Sequence, residues 1–290
     1  YSDWKELILD KKIDAIVVAT PPSLHKHIII FAIKNNKHIF CEKPLTRSYR
    51  EANIICNLVR RKKNLSHMVN YEFGEIGAFY FFKKKIINKI KINSIYLNWF
   101  INIKKRSNSH WKEDHSKGGG IIYNYFCHSI YYLEFLFGKI ISVQSNISIK
   151  TKSKIKYLQG IFFFSNGLSA LFNMKVGDIE KKISPIHQLK MLTNKKTYVL
   201  ETNLNSLSDK FTIKVLDNFT NQSEKIFFKD KKNNKDFRIA PTFYNSKKFS
   251  NSILKGETKS PNFFDAKRIH SIIDKMIISS KKCKKINISS

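Results

Sequence analysis

Apolar positions follow two rhythms along these 290 residues. In the first quarter they gather in short blocks. These are Ile13 to Thr20, His38-Ile39-Phe40-Cys41, and Ser66 to Asn70. Nearly unbroken blocks of this length are the pattern of strands buried on both faces, as in a parallel sheet. Between them the apolar residues take helical spacing. One helix is predicted from Leu24 to about Asn35, capped by Ser23 after Pro21-Pro22. Another carries Ala52, Ile55, Leu58 and Val59, and Ser48 with Glu51 fits a capping box at its start. The chain itself opens inside a helical pattern at Trp4, Leu7 and Ile8. Strands alternating with helices of this length predict an α/β domain over residues 1–71.

From residue 72 to 290 the rhythm changes. A helix over Gly77 to Asn88 precedes a long strand, Ile92 to Ile101, and a polar loop, Lys104 to Lys117. A glycine-led helix follows, and then a run of strands: Ile140 to Ile149, Tyr157 to Phe164, Leu168 to Lys175, His187 to Leu192, Thr197 to Glu201 and Phe211 to Val215. Asn166-Gly167 is a type I′ hairpin signal. Lys229 to Asp236 reads as a charged loop, and helices at Thr242 to Leu254 and Phe263 to Ser280 close the chain. Strands in hairpin order with flanking helices predict a second, α+β domain with a largely antiparallel open sheet. The last helix is expected to pack back on the first domain.

The candidate chemistry centres on Gly118-Gly119-Gly120 and the helix behind it, which carries Asn124 and His128. Residues four apart share a helix face, so the two point at one spot. Glycines let a backbone approach a ligand, or another backbone, where a Cβ would obstruct it. A hydrogen-bonded core histidine is the alternative for His128 taken alone. Earlier, Thr20-Pro21-Pro22 and Glu42-Lys43-Pro44 each follow a predicted parallel strand. Ligands in open α/β sheets bind at that carboxyl edge. Pro44 can give the peptide bond after Lys43 a special geometry. His25 and His27 stand two apart on a helix and point away from each other.

Four stretches, in order, resemble the Gfo/Idh/MocA oxidoreductases: DAIVVATPPSLH (14–25), CEKP (41–44), GGGIIYNYFCH (118–128) and SPNFFDAKRIHSIIDKM (260–276). The resemblance implies a Rossmann doubly wound parallel sheet binding NAD or NADP, and a second domain binding a sugar or nucleotide sugar. It implies that Lys43 reaches nicotinamide and substrate and polarises the reacting oxygen. His128 would act as general base. Asn124 stands where many members have aspartate, so it can orient a hydroxyl but cannot take its proton. Thr20, Pro21, His25, Glu42 and Lys43 are assigned to the cofactor, and Asn124 and His128 to the substrate; Trp111 and Lys112 of the polar loop are read as substrate contacts, with a solvated loop as the equal alternative. The family's first strand, its Gly-rich turn and the acidic residue for the adenosine ribose are expected before residue 1. At ~30 residues per βα unit that is about two units. Residues 1–71 then read as the later part of the Rossmann domain, whose central strands expose apolar edges. NAD and NADP stay undistinguished. The family also implies self-association through one face of the second sheet, and a role in surface polysaccharide synthesis fits it.

Composition narrows this only a little. The net charge of +31 comes mostly from scattered lysines, with few of the arginines that read phosphates and bases in pairs. A chain this rich in Lys, Ile and Asn matches translated AT-rich DNA, so no specific nucleic-acid site is assigned. No apolar run reaches the ~18 residues of a membrane span. Cys41, Cys56, Cys127 and Cys283 have no CxxC spacing, which with the missing signal-peptide pattern points to the cytoplasm. His110, Asp114 and His115 match no zinc spacing, and no metal is assigned. A degenerate, non-catalytic relative serving as a partner subunit is the alternative function.

Overall fold

The computed structural model describes residues 1–102, 111–113, 117–151, 154–177, 184–203, 210–226 and 236–288. Its contacts divide into two units. The first gathers Tyr1–Tyr71, Asn108–His128 and Thr242–Ser271; the second holds Glu72–Ser107, Ser129–Pro241 and Ile272–Ser290.

In the first unit, β1 (Ala15–Val18), β2 (His38–Cys41) and β3 (His67–Val69) form a parallel sheet in that order. Their register is set by continuous apolar sequence on both faces: Ile16, Val18, Ile39, Phe40, Cys41, Met68 and Val69 are all buried. Val17, on β1 at the edge of this sheet, is 71% exposed. Helix α1 (Trp4–Leu9) precedes β1, and α2 (Pro22–Lys34) and α3 (Tyr49–Arg60) follow β1 and β2. Ser48 caps α3 by accepting from the Glu51 N–H, as the sequence predicts. Ser23 does not cap α2. The helix starts at Pro22 with Pro21 as N-cap, because proline at the first helical position has its φ already set and no N–H to satisfy. Helix α6 (Ile239–Leu254) brings Phe249 onto Phe40 and Met68, a small core within this unit. The start of α7 (Phe263–Lys282) docks on β3: the Phe263 N–H donates to His67 Nδ1 at 3.2 Å, and their rings stack at 4.6 Å.

The second unit is built on a nine-stranded sheet among the described residues. Its strands are β4 (Ser94–Asn102), β5 (Ile140–Thr151), β6 (Lys154–Phe164), β7 (Ser169–Gly177), β8 (Ile186–Leu192), β9 (Lys196–Thr202), β10 (Thr212–Asp217), β11 (Ser223–Ile226) and β12 (Ile286–Asn287). The order is β11-β10-β9-β8-β4-β7-β6-β5-β12, antiparallel except for the β4–β7 pair. Along β4 the alternation is complete: Ile95, Leu97, Trp99 and Ile101 are buried, while Tyr96, Asn98 and Phe100 are partly exposed. The buried face holds an aromatic cluster in which His187 stacks on Trp99 at 4.0 Å and meets the Tyr132 hydroxyl at 2.8 Å.

The Asn166-Gly167 turn differs from the type I′ expectation. Phe164 N–H donates to Leu168 O and Gly167 N–H to Phe164 O, with positive φ at Gly167 but not at Asn166. This is a three-residue loop, a type I turn closed by a left-handed glycine, and it uses one residue of positive φ instead of two. The predicted helix over 77–88 is shorter: α4 (Gly77–Phe81) passes into a π-turn at Phe82–Ile86 and a 3₁₀ turn at Ile87–Lys89. β11 and β12 carry no strong alternation and were not predicted. Residues 229–235 of the charged loop lie outside the described residues.

Gly160 on β6 faces a close approach of β5. A Cβ there would stand 2.2 Å from Gln144 O, 2.7 Å from Phe172 Cζ and 2.8 Å from Ser145 Cα. Backbone atoms cannot swing aside, so Gly160→Ala should destabilise the protein by about 3 kcal/mol. A urea unfolding midpoint equal to that of the wild type would reject this.

Candidate active site

Three loops leave the carboxyl ends of β1, β2 and β3, and buried polar bonds tie them together. After β1, Thr20 gives its carbonyl to His25 Nε2 at 2.7 Å. On its other side the same ring meets Pro44 O at 3.1 Å, Leu45 O at 3.3 Å and Cys41 Sγ at 3.4 Å. His25 is 1% exposed. The sequence reading assigns His25 to the cofactor; in the structure both ring nitrogens face main-chain carbonyls of two loops, and a neutral ring, with one N–H, donates on one side only. Burial lowers its pKa, and the hydrogen bonds to Thr20, Pro44 and Leu45 pull the other way. Burial also raises the neighbouring Cys41 thiol well above its usual value. The Thr20 hydroxyl, by contrast, is buried with no partner among the described residues.

The loop after β2 carries Glu42, Lys43 and Pro44, and the Lys43–Pro44 peptide bond is cis. Glu42 N–H extends the sheet by donating to Val18 O at 2.8 Å. Its carboxylate accepts from Asn70 Nδ2, also at 2.8 Å. Lys43 Nζ donates to the main-chain carbonyl of Asn124 at 2.6 Å. Two residues that the sequence places together, 81 positions apart, are therefore in contact.

Asn124 sits in a π-turn, Ile122–Phe126, which opens α5 (Cys127–Phe137). The regular helix expected here carries an inserted residue, a feature frequent at functional sites. The Asn124 side chain donates to Lys112 O at 2.9 Å, so the substrate-assigned Lys112 is held by its main chain. The Lys112 ammonium lies over the Trp111 ring at 5.5 Å. His128 is 4% exposed, with the Tyr71 ring edge-on at 6.1 Å. Burial pushes the Tyr71 phenol well above its usual pKa. Of the glycine triplet, Gly118 serves a close backbone approach. At φ +80° its Cβ would meet Pro22 Cβ at 2.9 Å and Arg47 Cα at 3.3 Å, which brings this segment against the loops after β1 and β2.

Asn70 and Tyr71, at the end of β3, were missed. The available signal was position alone: polar residues at the carboxyl end of a parallel strand, where ligands of such sheets bind. His110, Asp114 and His115 lie outside the described residues. Among those described, no group of three or more His, Cys, Asp or Glu side chains could hold a metal. No described helix is long and apolar enough to cross a membrane.

A three-stranded parallel sheet with polar loops at its carboxyl edge in one unit, and a large, mostly antiparallel sheet in the other, define an α/β class of protein. The chain belongs to the Gfo/Idh/MocA oxidoreductases: residues 1–71 match the model described as "Oxidoreductase family, NAD-binding Rossmann fold", and residues 89–183 match "GFO/IDH/MocA C-terminal domain". Among curated relatives, levoglucosan dehydrogenase of Pseudarthrobacter phenanthrenivorans is 40% identical over 85 residues, 29% of this chain and 22% of that protein. The 2,7-anhydro-N-acetylneuraminate hydratase of Escherichia coli is 31% identical over 145 residues, 48% of this chain and 37% of that protein. The matched stretches thus span well under two thirds of these relatives. Among solved structures, levoglucosan dehydrogenase in complex with NADH and levoglucosan superposes with a TM-score of 0.83 at 19% identity, covering 100% of this chain and 84% of that one. The aldose-aldose oxidoreductase of Caulobacter crescentus, complexed with glycerol, gives 0.80 at 14% identity, covering 99% and 83%.

Proposed function

We propose that this chain works in an NAD(P)-dependent oxidoreductase that moves hydride between nicotinamide and a hydroxyl- or carbonyl-bearing carbon of a sugar or nucleotide sugar. The observation that carries the reading is the meeting of Lys43 and Asn124 at the carboxyl edge of the parallel sheet. The residues fit a nicotinamide cofactor. Thr20 offers a buried hydroxyl without a partner, and Lys43 offers a cation on the adjoining loop. Thr20, Pro21 and Lys43 would hold it, while Glu42 and His25 brace the loops. When bound, the nicotinamide supplies the hydride acceptor or donor.

The side chains of this chain do the rest. Lys43 stabilises negative charge on the reacting oxygen. His128 takes the hydroxyl proton in oxidation and returns it in reduction. Asn124, an amide, orients and does not titrate. Trp111 and Lys112 border the sugar. Sugars as substrates are supported by the dehydrogenase and oxidoreductase names among the relatives.

The test is titration of the full-length protein with NADH, followed by a panel of hexoses, anhydrosugars and nucleotide sugars. Quenched protein fluorescence and turnover of nicotinamide absorbance are expected. An NADH titration without response would instead favour the partner-subunit reading, which Asn124 in place of an aspartate supports.

Self-association belongs to the same proposal. One row of amides crosses the exposed face of the second sheet: Asn146, Gln159, Asn173, Asn98 and Gln188 are successive cross-strand partners, ending at Glu201. A depression of about 640 Å³ lies over part of this row. The row ends where Lys214 pairs with Glu201, and its self-complementary amide donors and acceptors are suited to a second copy of the chain. Asn98→Arg should shift sedimentation from oligomer to monomer. A wild-type protein that sediments only as a monomer would rule this out.

A further inference from the structure

The bond between Asn70 and Glu42 goes beyond what either motif explains. Asn70 is 2% exposed, and its amide has a defined orientation. The Glu42 carboxylate can only accept, so it requires Nδ2, at 2.8 Å. The other face of Nδ2 meets Thr242 Oγ1 at 3.2 Å. Asn70 Oδ1 accepts from Nδ2 of Asn245, which is fully buried in α6, at 3.2 Å. The Asn70 main chain is committed as well, its N–H donating to Cys41 O at 2.8 Å. One amide at the end of β3 therefore ties the residue before Lys43 to α6. On the far side of Lys43, the buried His25 ring packs against Pro44 O at 3.1 Å and Leu45 O at 3.3 Å. Lys43 is suspended between two anchored neighbours.

We infer that Asn70 is a positioning residue: through Glu42 it fixes the loop that presents the Lys43 ammonium. The inference rests on the reading of Lys43 as the group that polarises the reacting oxygen. Reacting groups must be held closely, and a displacement of about 1 Å can cost ~10²-fold in rate. Aspartate at position 70 keeps the size of asparagine and the oxygen that accepts from Asn245, and puts a second oxygen in place of Nδ2. It removes the donor to Glu42 and sets two carboxylates face to face, which repel. A residue needed only to fill space would tolerate that change far better than one needed to hold Glu42.

The experiment uses full-length Asn70→Asp and Asn70→Ala, with Thr242→Val as a control that leaves the Glu42 bond in place. The first readout needs no ligand. Trace acetylation with acetic anhydride, read residue by residue in the mass spectrometer, compares Lys43 with the other lysines. Lys43 labelling should rise several-fold in both Asn70 variants and stay unchanged in Thr242→Val. Melting curves establish that each variant is folded, and Asn70→Asp serves if Asn70→Ala is not. The second readout is turnover: the Asn70 variants should lose about 10²-fold in kcat with KM and NADH affinity little changed. Unaltered Lys43 labelling in a folded Asn70→Asp overturns the inference. Raised labelling with full turnover overturns the reading of Lys43 and leaves the positioning of its loop standing.

Discussion

Lys43→Met is expected to lower kcat for sugar turnover by about 10²–10³-fold, the range found when one preorganised donor to a developing oxyanion is removed. Methionine preserves the stem and its packing, so the loss isolates the ammonium. The Glu42 and Pro44 anchors lie on main-chain and neighbouring side-chain atoms and remain. NADH affinity should therefore change only a few-fold. Lys43→Arg should not restore activity. A planar guanidinium directs its donors in a fixed fork, whereas the ammonium is a compact point charge that meets the single Asn124 carbonyl at 2.6 Å. Steady-state kinetics with the first sugar turned over, paired with NADH titration, checks both statements. A Lys43→Met variant with wild-type kcat would remove Lys43 from the chemistry.

The second large effect is on stability in acid. Burial pushes His67 down to about 4, His187 to about 3 and His270 to about 4. An unfolded chain returns each to its ordinary value of about 6.5. The folded protein therefore keeps these rings neutral while the unfolded chain takes up protons. Their contribution is fully present above about pH 6.5 and is lost as pH falls from there towards 4, with His187 continuing to about 3. Each ring costs about 1.4 kcal/mol per pH unit across its window, so the three together reach about 4 kcal/mol per unit. Two units of such a slope remove about 8 kcal/mol, comparable with the ~5–15 kcal/mol that stabilises a whole domain. The urea midpoint should therefore fall steeply between about pH 6.5 and 4.5, a window that begins above ordinary carboxylate titration at about pH 4. Urea midpoints measured from pH 7.5 to 4.5 test this, and His270→Phe should flatten the curve by one proton. His270 is the suitable probe because its ring is fully buried beside Tyr123 at 5.5 Å, where another aromatic ring fits. A pH-independent midpoint over that range would contradict the assignment.

Much of the candidate site could be read because local chemistry announced it. Three apolar blocks became β1, β2 and β3 within a few residues, since unbroken apolar runs between turn residues have sharp limits even where, as at Val17 on the edge strand, one face is exposed. Ser48 gave a true cap to the Glu51 N–H, because that contact depends on residues three apart, while the Glu51 carboxylate pairs with Arg47 and does not close the box. The failures share the opposite property. Whether Asn166-Gly167 closes as a two- or three-residue loop depends on the register of β6 against β7, which packing decides. The π-turn at Ile122–Phe126 has no periodic signature, since one inserted residue in an apolar helix leaves its composition unchanged.

By itself, then, the sequence determined the alternation of elements, the parallel and antiparallel halves, and the resemblance carried by TPPSLH, CEKP and GGG with His128. These rest on side-chain types at short spacings, which is where propensity and periodicity act. Tertiary structure alone decided what each polar residue does. It set the His25 ring between two loops, gave Gly118 to a backbone contact, and joined Lys43 to Asn124 and Asn70 to Glu42. A buried hydrogen-bonding group must find its partner wherever the fold brings one, and those partners lie 5 to 81 residues away along the chain.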